Sequence, residues 1–182
     1  MKEGKEALIR VHNRMRESTS IHWHGLLVPF NMDGVPGISF SGIPPGETFT
    51  YRYRVRQNGT YWYHSHTGLQ EQLGLYGQLI LEPAEKDPIE YDVEHSIVLS
   101  DWTFRNPERI LRKLKTMEGY FNFQRPTLAN LDDQMKATGM SLQEVLSQRL
   151  AWDRMRIDPT DIADVTGATY TYLMNGKAAH EN

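Results

Sequence analysis

The sequence of 182 residues contains no cysteine. The chain therefore cannot form a disulfide, a thiolate zinc site or a cysteine-ligated iron–sulfur centre, and it cannot use a cysteine nucleophile. These chemistries are excluded before any motif is considered.

Long apolar runs and an excess of one charge are also missing. No apolar run approaches the roughly 20 residues that cross a bilayer, and the opening residues (MKEGKE) lack the apolar segment of a signal peptide. The net charge of −3 and the pI near 6.2 give no electrostatic reason to expect a nucleic acid or an anionic membrane as a partner. The sequence therefore predicts no membrane span and no nucleic-acid partner.

Histidine, in contrast, is concentrated in two short motifs. Four of the seven histidines lie in Ser20–Gly25 (SIHWHG) and Tyr61–Gly68 (YWYHSHTG), with 40 positions between His24 and His64. Residues i and i+2 of a β-strand point to the same face, so each motif presents a pair of imidazoles. If the two strands lie side by side or in facing sheets, the pairs converge. Imidazole binds zinc, copper, iron and nickel, so the motifs predict a metal site without selecting the metal.

Alternating apolar and polar residues predict short strands around these motifs. Strands are expected over 6–13, 19–28, 48–56, 60–66 and 78–82, with a long loop rich in glycine and proline over 29–46. Asn58-Gly59 is typical of a tight hairpin turn between two of these strands. The pattern predicts a mainly β protein with an antiparallel sandwich or barrel.

Helix signals become frequent after residue 83. Asn106-Pro107 predicts the start of one helix, and the capping box Ser141–Glu144 predicts a second helix that runs toward Met155. Further strands are expected over 94–102 and 168–173, and Asn175-Gly176 predicts a hairpin turn after the latter. We expect no return strand after that turn, which indicates a truncated domain.

A cupin-like site for a single metal is an alternative for the second motif. His64, His66 and Glu71, followed by Gly77, resemble the first metal motif of cupins, which holds one ion with two histidines and a glutamate. The second cupin motif is missing from the sequence. The first histidine pair also has no place in that arrangement.

Several segments carry a resemblance to a known family. Thr19–Gly25 (TSIHWHG), Met32–Gly37 (MDGVPG) and Gly59–His66 (GTYWYHSH) closely resemble the first cupredoxin domain of multicopper oxidases. Val98–Trp102 (VLSDW) and Asp158–Tyr172 (DPTDIADVTGATYTY) are similar to the copper-resistance (CopA-type) branch of that family. The resemblance covers nearly the whole chain. It implies a cupredoxin-like Greek-key β-sandwich, incomplete, followed by a helical interdomain segment.

The resemblance also implies a division of the chain. Residues 1–84 would form the first cupredoxin-like domain without its first strand or strands, and residues 85–165 a linker with a helical insert. Residues 166–182 would be the truncated start of a second cupredoxin-like domain. The chain is therefore expected to be an N-terminal fragment or a truncated product.

In this family the two histidine pairs are ligands of a trinuclear copper site. By that resemblance His22 would bind the type 2 copper, His24 and His64 one type 3 copper, and His66 its type 3 neighbour. Asp33 matches a carboxylate that helps to deliver protons to the oxygen site, and it also fits an ordinary Asp-Gly turn. The other half of the trinuclear ligands is absent from the sequence, as are the type 1 copper ligands, which include a cysteine thiolate.

The resemblance implies an oxidase for the parent protein. It would oxidise copper(I), or a phenolic or metal substrate, and reduce dioxygen to water, conferring copper resistance in the periplasm with further cupredoxin domains to complete the site. The alternative is a non-catalytic copper-binding module in which two or four imidazoles hold copper. For the chain in isolation, we expect the second behaviour.

Overall fold

The computed structural model describes residues 1–86, 89–117, 120–121, 127–155 and 170–178. These residues form two compact units. The first contains the described residues through Trp102 together with those from Thr171 onward, and the second contains the described residues from Thr103 to Tyr170.

The first unit is built from short antiparallel strands. β1 pairs with β3, β4 lies between β2 and β5, and β7 lies between β6 and β8. The strands are β1 (Glu6–His12), β2 (His22–His24), β3 (Thr48–Arg54), β4 (Gly59–His64), β5 (Tyr76–Leu81), β6 (Leu99–Trp102), β7 (Thr171–Met174) and β8 (Lys177–Ala178).

The predicted alternation along β1 and β3 is confirmed. Ala7 lies opposite Tyr53 in the ladder and Ile9 opposite Tyr51, and these residues turn toward the interior. The polar residues between them, such as Arg52, are exposed. Each strand therefore buries one face, as period-two patterning requires.

The core of this unit joins residues from two sheets. The Trp23 ring of β2 packs against Tyr51 and Tyr53 of β3, with ring centroids 5.0 and 5.9 Å apart. Burial raises the pKa of Tyr51 to about 12 and also raises the pKa of Tyr53, so both phenols stay neutral at physiological pH. The predicted mainly β sandwich is confirmed. The other buried members of this core are Ala7, Ile21, Ile43, Val55 and Leu81.

The predicted hairpin at Asn58-Gly59 is wrong. β3 pairs with β1, whereas β4 pairs with β2 and β5, so the turn carries the chain from one sheet to the other. The β1 partnership continues past the end of β3, because the Val55 amide donates to the Lys5 carbonyl at 2.8 Å. β3 therefore stays paired with β1, whereas a hairpin at Asn58-Gly59 would require β3 to pair with β4.

The strands of the two histidine motifs are shorter than predicted. β2 covers only His22–His24, since Gly25 has a φ of +82° and the Leu26 amide donates back to the Trp23 carbonyl. β4 ends at His64, so His66 lies just beyond the strand.

The hairpin at Asn175-Gly176 is confirmed, and the expectation that it lacks a return strand is wrong. Asn175 and Gly176 have φ angles of +52° and +79°, and β8 returns to pair with β7. Most of the copper-resistance-type run at 158–172 lies outside the described residues, as do positions 166–169. The domain boundaries at 84 and 165 stay predictions.

The second unit contains helices α1 (Pro107–Thr116), α2 (Leu131–Thr138) and α3 (Leu142–Met155). Asn106 Oδ1 accepts a hydrogen bond from the Arg109 amide at 2.9 Å, and the Ser141 amide donates to Glu144 Oε2 at 2.8 Å. Both predicted helix starts are confirmed. The sequence pattern does not predict α2, which has only eight residues. Within the described ranges no helix has the length and apolarity needed to cross a membrane.

Candidate metal centre

The two histidine motifs lie on neighbouring strands. β2 pairs with β4 so that His22 lies opposite His64 and His24 lies opposite Trp62. Directly opposed residues on antiparallel strands have Cβ atoms about 4.5–5.5 Å apart. This register brings the two predicted imidazole pairs together.

All four predicted histidines belong to one cluster. One ligand nitrogen from each of His22, His64 and His66 lies within 4.8 Å of the others. His24 joins this group, because its Nδ1 lies 3.1 Å from Nε2 of His64. The ring of His22 has its centroid 5.6, 5.4 and 5.1 Å from the centroids of His24, His64 and His66.

The cluster is buried on one side and open on the other. His64 is 5% exposed and His22 is half-buried, whereas His24 and His66 are exposed. A further ligand can therefore approach from the side of His24 and His66.

Two of the imidazoles use Nδ1 for bonds to the main chain. His22 Nδ1 donates to the Asp33 carbonyl at 2.8 Å, and His64 Nδ1 donates to the Ser65 carbonyl at 3.0 Å. Carboxylates lie beside the same atoms: Asp33 Oδ1 is 3.4 Å from His22 Nδ1, and Glu71 Oε2 is 2.9 Å from His64 Nδ1. An imidazole that carries its proton on Nδ1 leaves Nε2 free to bind a metal.

The Asp33-Gly34 turn is held directly against β2. Gly34 has a φ of +78°, and a Cβ at this position would lie 1.8 Å from the Ile21 carbonyl oxygen. Only glycine permits this approach, which places the Asp33 carbonyl on His22. Both interpretations of Asp33, the proton-delivery role and the ordinary Asp-Gly turn, stay predictions.

A buried hydrogen-bond network ties the two motifs together beneath the histidines. Gln70 is 4% exposed, and its Oε1 accepts from Thr19 Oγ1 at 2.7 Å and from Ser65 Oγ at 2.8 Å. Ser20 Oγ accepts from the His66 amide at 2.9 Å. Satisfied buried networks of this kind favour one arrangement of the side chains, and this network fixes the loop that carries His66.

Trp62 is a neighbour of the site that the sequence patterns do not assign to it, whereas Glu71 enters the sequence analysis only as a metal ligand of the cupin-like alternative. The Trp62 ring stacks on His24 and His64, with centroids 4.8 and 4.3 Å apart and interplanar angles of 27° and 22°. Trp62 precedes His64 by two positions on β4, and this spacing is the signal that could have found it. Glu71 contacts Nδ1 of His64 across a turn, as a neighbour of this ring and not as the metal ligand that the cupin-like motif predicts.

The surroundings of His66 favour its neutral form. Although His66 is exposed on one side, the loss of solvent on its packed side lowers its pKa. Positive charge on His22 and His64 lowers this pKa further, while Glu71 and Asp33 oppose the shift. Only neutral imidazole binds a metal. The lowered pKa therefore favours the form of His66 that can bind a metal.

The donor set fits a transition-metal ion. Imidazole nitrogens without thiolate suit zinc, copper, iron and nickel. Two nitrogens bound to one ion at about 2.0 Å lie roughly 3 Å apart, and the 3.1 Å between His24 Nδ1 and His64 Nε2 agrees with that separation. The geometry supports metal binding, and the choice of metal comes from the family.

The sequence matches known proteins over its whole length. Residues 1–86 match the family model described as multicopper oxidase. The chain is 51% identical to copper resistance protein A of Escherichia coli over 181 residues, which make up 100% of this chain and 30% of that protein. The chain belongs to the multicopper oxidase family. Within that family it is similar to copper resistance protein A, and it spans about 30% of the length of that relative.

Solved structures agree with this assignment. The blue copper oxidase of Nitrosomonas europaea is 38% identical with a TM-score of 0.51, over 56% of this chain and 34% of that chain. The laccase of Botrytis aclada is 38% identical with a TM-score of 0.54, over 62% of this chain and 22% of that chain. These similarities confirm the predicted cupredoxin-like fold.

The family assignment argues against the cupin-like alternative. In a cupin-like site Glu71 would bind the metal together with His64 and His66. Among the described residues, however, Glu71 is not part of the cluster of metal-ligating atoms. Its carboxylate instead contacts Nδ1 of His64.

Proposed function

We propose that this chain supplies His22, His24, His64 and His66 as ligands of a trinuclear copper centre in a multicopper oxidase. The observation that carries the proposal is the β2–β4 register, which sets His22 opposite His64 and gathers the imidazoles in one cluster. Bound copper ions would supply the one-electron steps by which dioxygen is reduced to water without release of radicals.

The four histidines have separate roles in this proposal. His22 would bind the type 2 copper, His24 and His64 would share one type 3 copper, and His66 would bind the other type 3 copper. The 3.1 Å contact of His24 Nδ1 with His64 Nε2 supports a shared ion for these two residues. The main-chain bonds of His22 and His64 support Nε2 as the ligand atom of each.

Asp33 is proposed to deliver protons to the oxygen site. Its carboxylate lies 3.4 Å from His22 Nδ1, and its side chain is 35% exposed. A carboxylate in this position can exchange protons with solvent while it remains beside a ligand of the metal. Reduction of dioxygen to water consumes protons, so the site requires such a path.

The remaining parts of the enzyme would lie outside these 182 residues. Further cupredoxin domains would supply the other trinuclear ligands and the cysteine thiolate of the type 1 copper, which accepts electrons from the reducing substrate. Copper(I), or a phenolic or metal substrate, is the proposed electron donor, and copper resistance in the periplasm the proposed role. The resemblance to copper resistance protein A supports this reading.

The copper proposal is tested by metal content. The double variant His64→Ala/His66→Ala, reconstituted with copper, should bind less copper per chain than the wild type. Elemental mass spectrometry measures the amount of bound copper. His12→Ala is the matched control, because His12 bonds to Thr48 on β1 and β3 and lies outside the cluster. Unchanged copper stoichiometry in the double variant would refute the metal site.

For the isolated chain a second function is proposed, that of a copper-binding module without catalysis. The absence of cysteine supports it, since a type 1 copper cannot form within this sequence. The copper-loaded chain should give imidazole-type EPR signals, no thiolate charge-transfer colour and no oxygen consumption with a phenol or copper(I). Measurable turnover would contradict this function.

A further inference from the structure

The Glu71 carboxylate approaches the most buried imidazole of the cluster. Glu71 Oε2 lies 2.9 Å from His64 Nδ1, with 7% of the His64 side chain and 48% of the Glu71 side chain exposed. Glu71 thus reaches from solvent to a buried ring. It also lines a cavity of about 580 Å³ together with Trp62, which stacks on the same ring.

The position of Glu71 is set by an ordered turn. The Gly74 amide donates to the Glu71 carbonyl at 2.9 Å, and the Leu75 amide donates to the carbonyl of the preceding Gln70 at 2.9 Å. Gln70 is itself fixed in the buried network beneath the histidines. The carboxylate is therefore presented to His64 by the same framework that carries His66.

The proton on His64 determines what its other nitrogen can do. With the proton on Nδ1, where Ser65 O and Glu71 Oε2 lie at 3.0 and 2.9 Å, Nε2 has a free lone pair. That lone pair accepts a hydrogen bond from Nδ1 of His24 at 3.1 Å. When copper binds at both atoms, the His24 proton must leave Nδ1.

We propose that Glu71 is the positioning residue that holds His64 with its proton on Nδ1 and its Nε2 toward copper. The copper part of this inference rests on the proposed function. A carboxylate is a stronger hydrogen-bond acceptor than the neutral Ser65 carbonyl. Loss of a hydrogen-bonding group behind a metal-bound histidine typically lowers metal affinity about 10–100-fold.

The test combines two measurements on the full chain. Long-range ¹H–¹⁵N NMR of protein labelled at histidine reports which His64 nitrogen is protonated without metal. Competition titration with copper(II) reports affinity. The variants are Glu71→Ala, Glu71→Met, which keeps length without a carboxylate, and Glu71→Gln, which keeps an acceptor. Glu47→Ala is the control, since Glu47 is an exposed glutamate in the turn before β3.

Wild-type His64 should carry its proton on Nδ1. Glu71→Ala and Glu71→Met should lose this preference and weaken copper(II) binding about 10–100-fold. Glu71→Gln should keep the proton on Nδ1. The control Glu47→Ala should match wild type in both measurements. A proton on Nε2 in wild type would overturn the inference. The inference would also be overturned if Glu71→Ala or Glu71→Met kept the proton of His64 on Nδ1 and bound copper(II) with unchanged affinity. The Ser65 carbonyl would then be sufficient to hold this tautomer.

The two proposals can fail separately. If the wild-type chain binds no copper, the proposed function fails, and the NMR of the metal-free chain still decides the role of Glu71. If Glu71→Ala does not fold, Glu71→Met gives the same comparison with a side chain of similar length.

Discussion

Nδ1 of His24 and Nε2 of His64 lie 3.1 Å apart across the β2–β4 pair. This is hydrogen-bonding distance, so one proton connects the two rings. The same two atoms are the proposed ligands of one copper ion. Protons and copper therefore compete for this pair.

Copper affinity should fall steeply with acidification. Imidazoles must be neutral to bind copper, and an unperturbed histidine has a pKa of about 6.5. Because the pKa of His66 is lowered, this residue stays neutral further into the acid range than a free histidine. Protonation of His66 should therefore weaken copper binding only at a pH lower than the one at which a free histidine takes up a proton. Copper(II) titrations between pH 5 and 8 measure this, and a pH-independent affinity would contradict imidazole ligation.

Gly34→Ala should destabilise the first unit and weaken copper binding. A residue with a side chain at positive φ costs about 1–2 kcal/mol, and the clash with the Ile21 carbonyl adds about 1–3 kcal/mol. The added Cβ would lie 1.8 Å from that oxygen, so the segment around Gly34 must move away. This movement would break the hydrogen bond from His22 Nδ1 to the Asp33 carbonyl.

Gly37→Ala is the matched control for this substitution. Gly37 also has a positive φ, +75°, but a Cβ there would meet nothing within 4 Å. It should therefore cost only the conformational part, about 1–2 kcal/mol, and leave copper affinity unchanged. Chemical denaturation measures the difference, and equal losses of stability in the two variants would show that the Gly34 contact is unimportant.

Gln70→Leu should destabilise the protein by roughly 2–4 kcal/mol, because each buried polar group left without a partner costs about 1–3 kcal/mol. The substitution removes the acceptor of the buried Thr19 and Ser65 hydroxyls. Gln72→Leu is the control, since Gln72 is two positions away and has a half-buried side chain outside this network. Similar denaturation midpoints for both variants would argue against the network as a source of stability.

Asp33→Asn should separate the two contacts of Asp33 with His22. The close contact, 2.8 Å, is made by the main-chain carbonyl, whereas the carboxylate lies 3.4 Å away. The copper affinity of the chain should therefore change less than about threefold. This is small compared with the decrease of about 10–100-fold that usually follows when a metal-binding histidine loses its hydrogen-bonding partner. A tenfold loss of copper affinity in the same titration would instead indicate that the Asp33 carboxylate holds the His22 ring in place.

Much of the local structure follows from the sequence. Period-two alternation in β1 and β3 predicts which residues enter the core, and the caps at Asn106 and Ser141 predict two helix starts. These features depend on residues within a few positions of each other. Asn58-Gly59 shows the limit of this reasoning, because the pairing of β3 depends on β1, about 40 positions earlier.

The sequence by itself determined the chemistry available to this protein: paired imidazoles, no thiolate, and the motifs of a multicopper oxidase. Strand periodicity alone put His22 and His24 on one side of β2, whereas His66 lies beyond the end of β4. Only the tertiary structure decided that His22 faces His64 and that Glu71 and the Asp33 carbonyl stand behind the two rings. The physical reason is that strand register and turn packing arise from contacts between distant segments, which no local pattern of residues encodes.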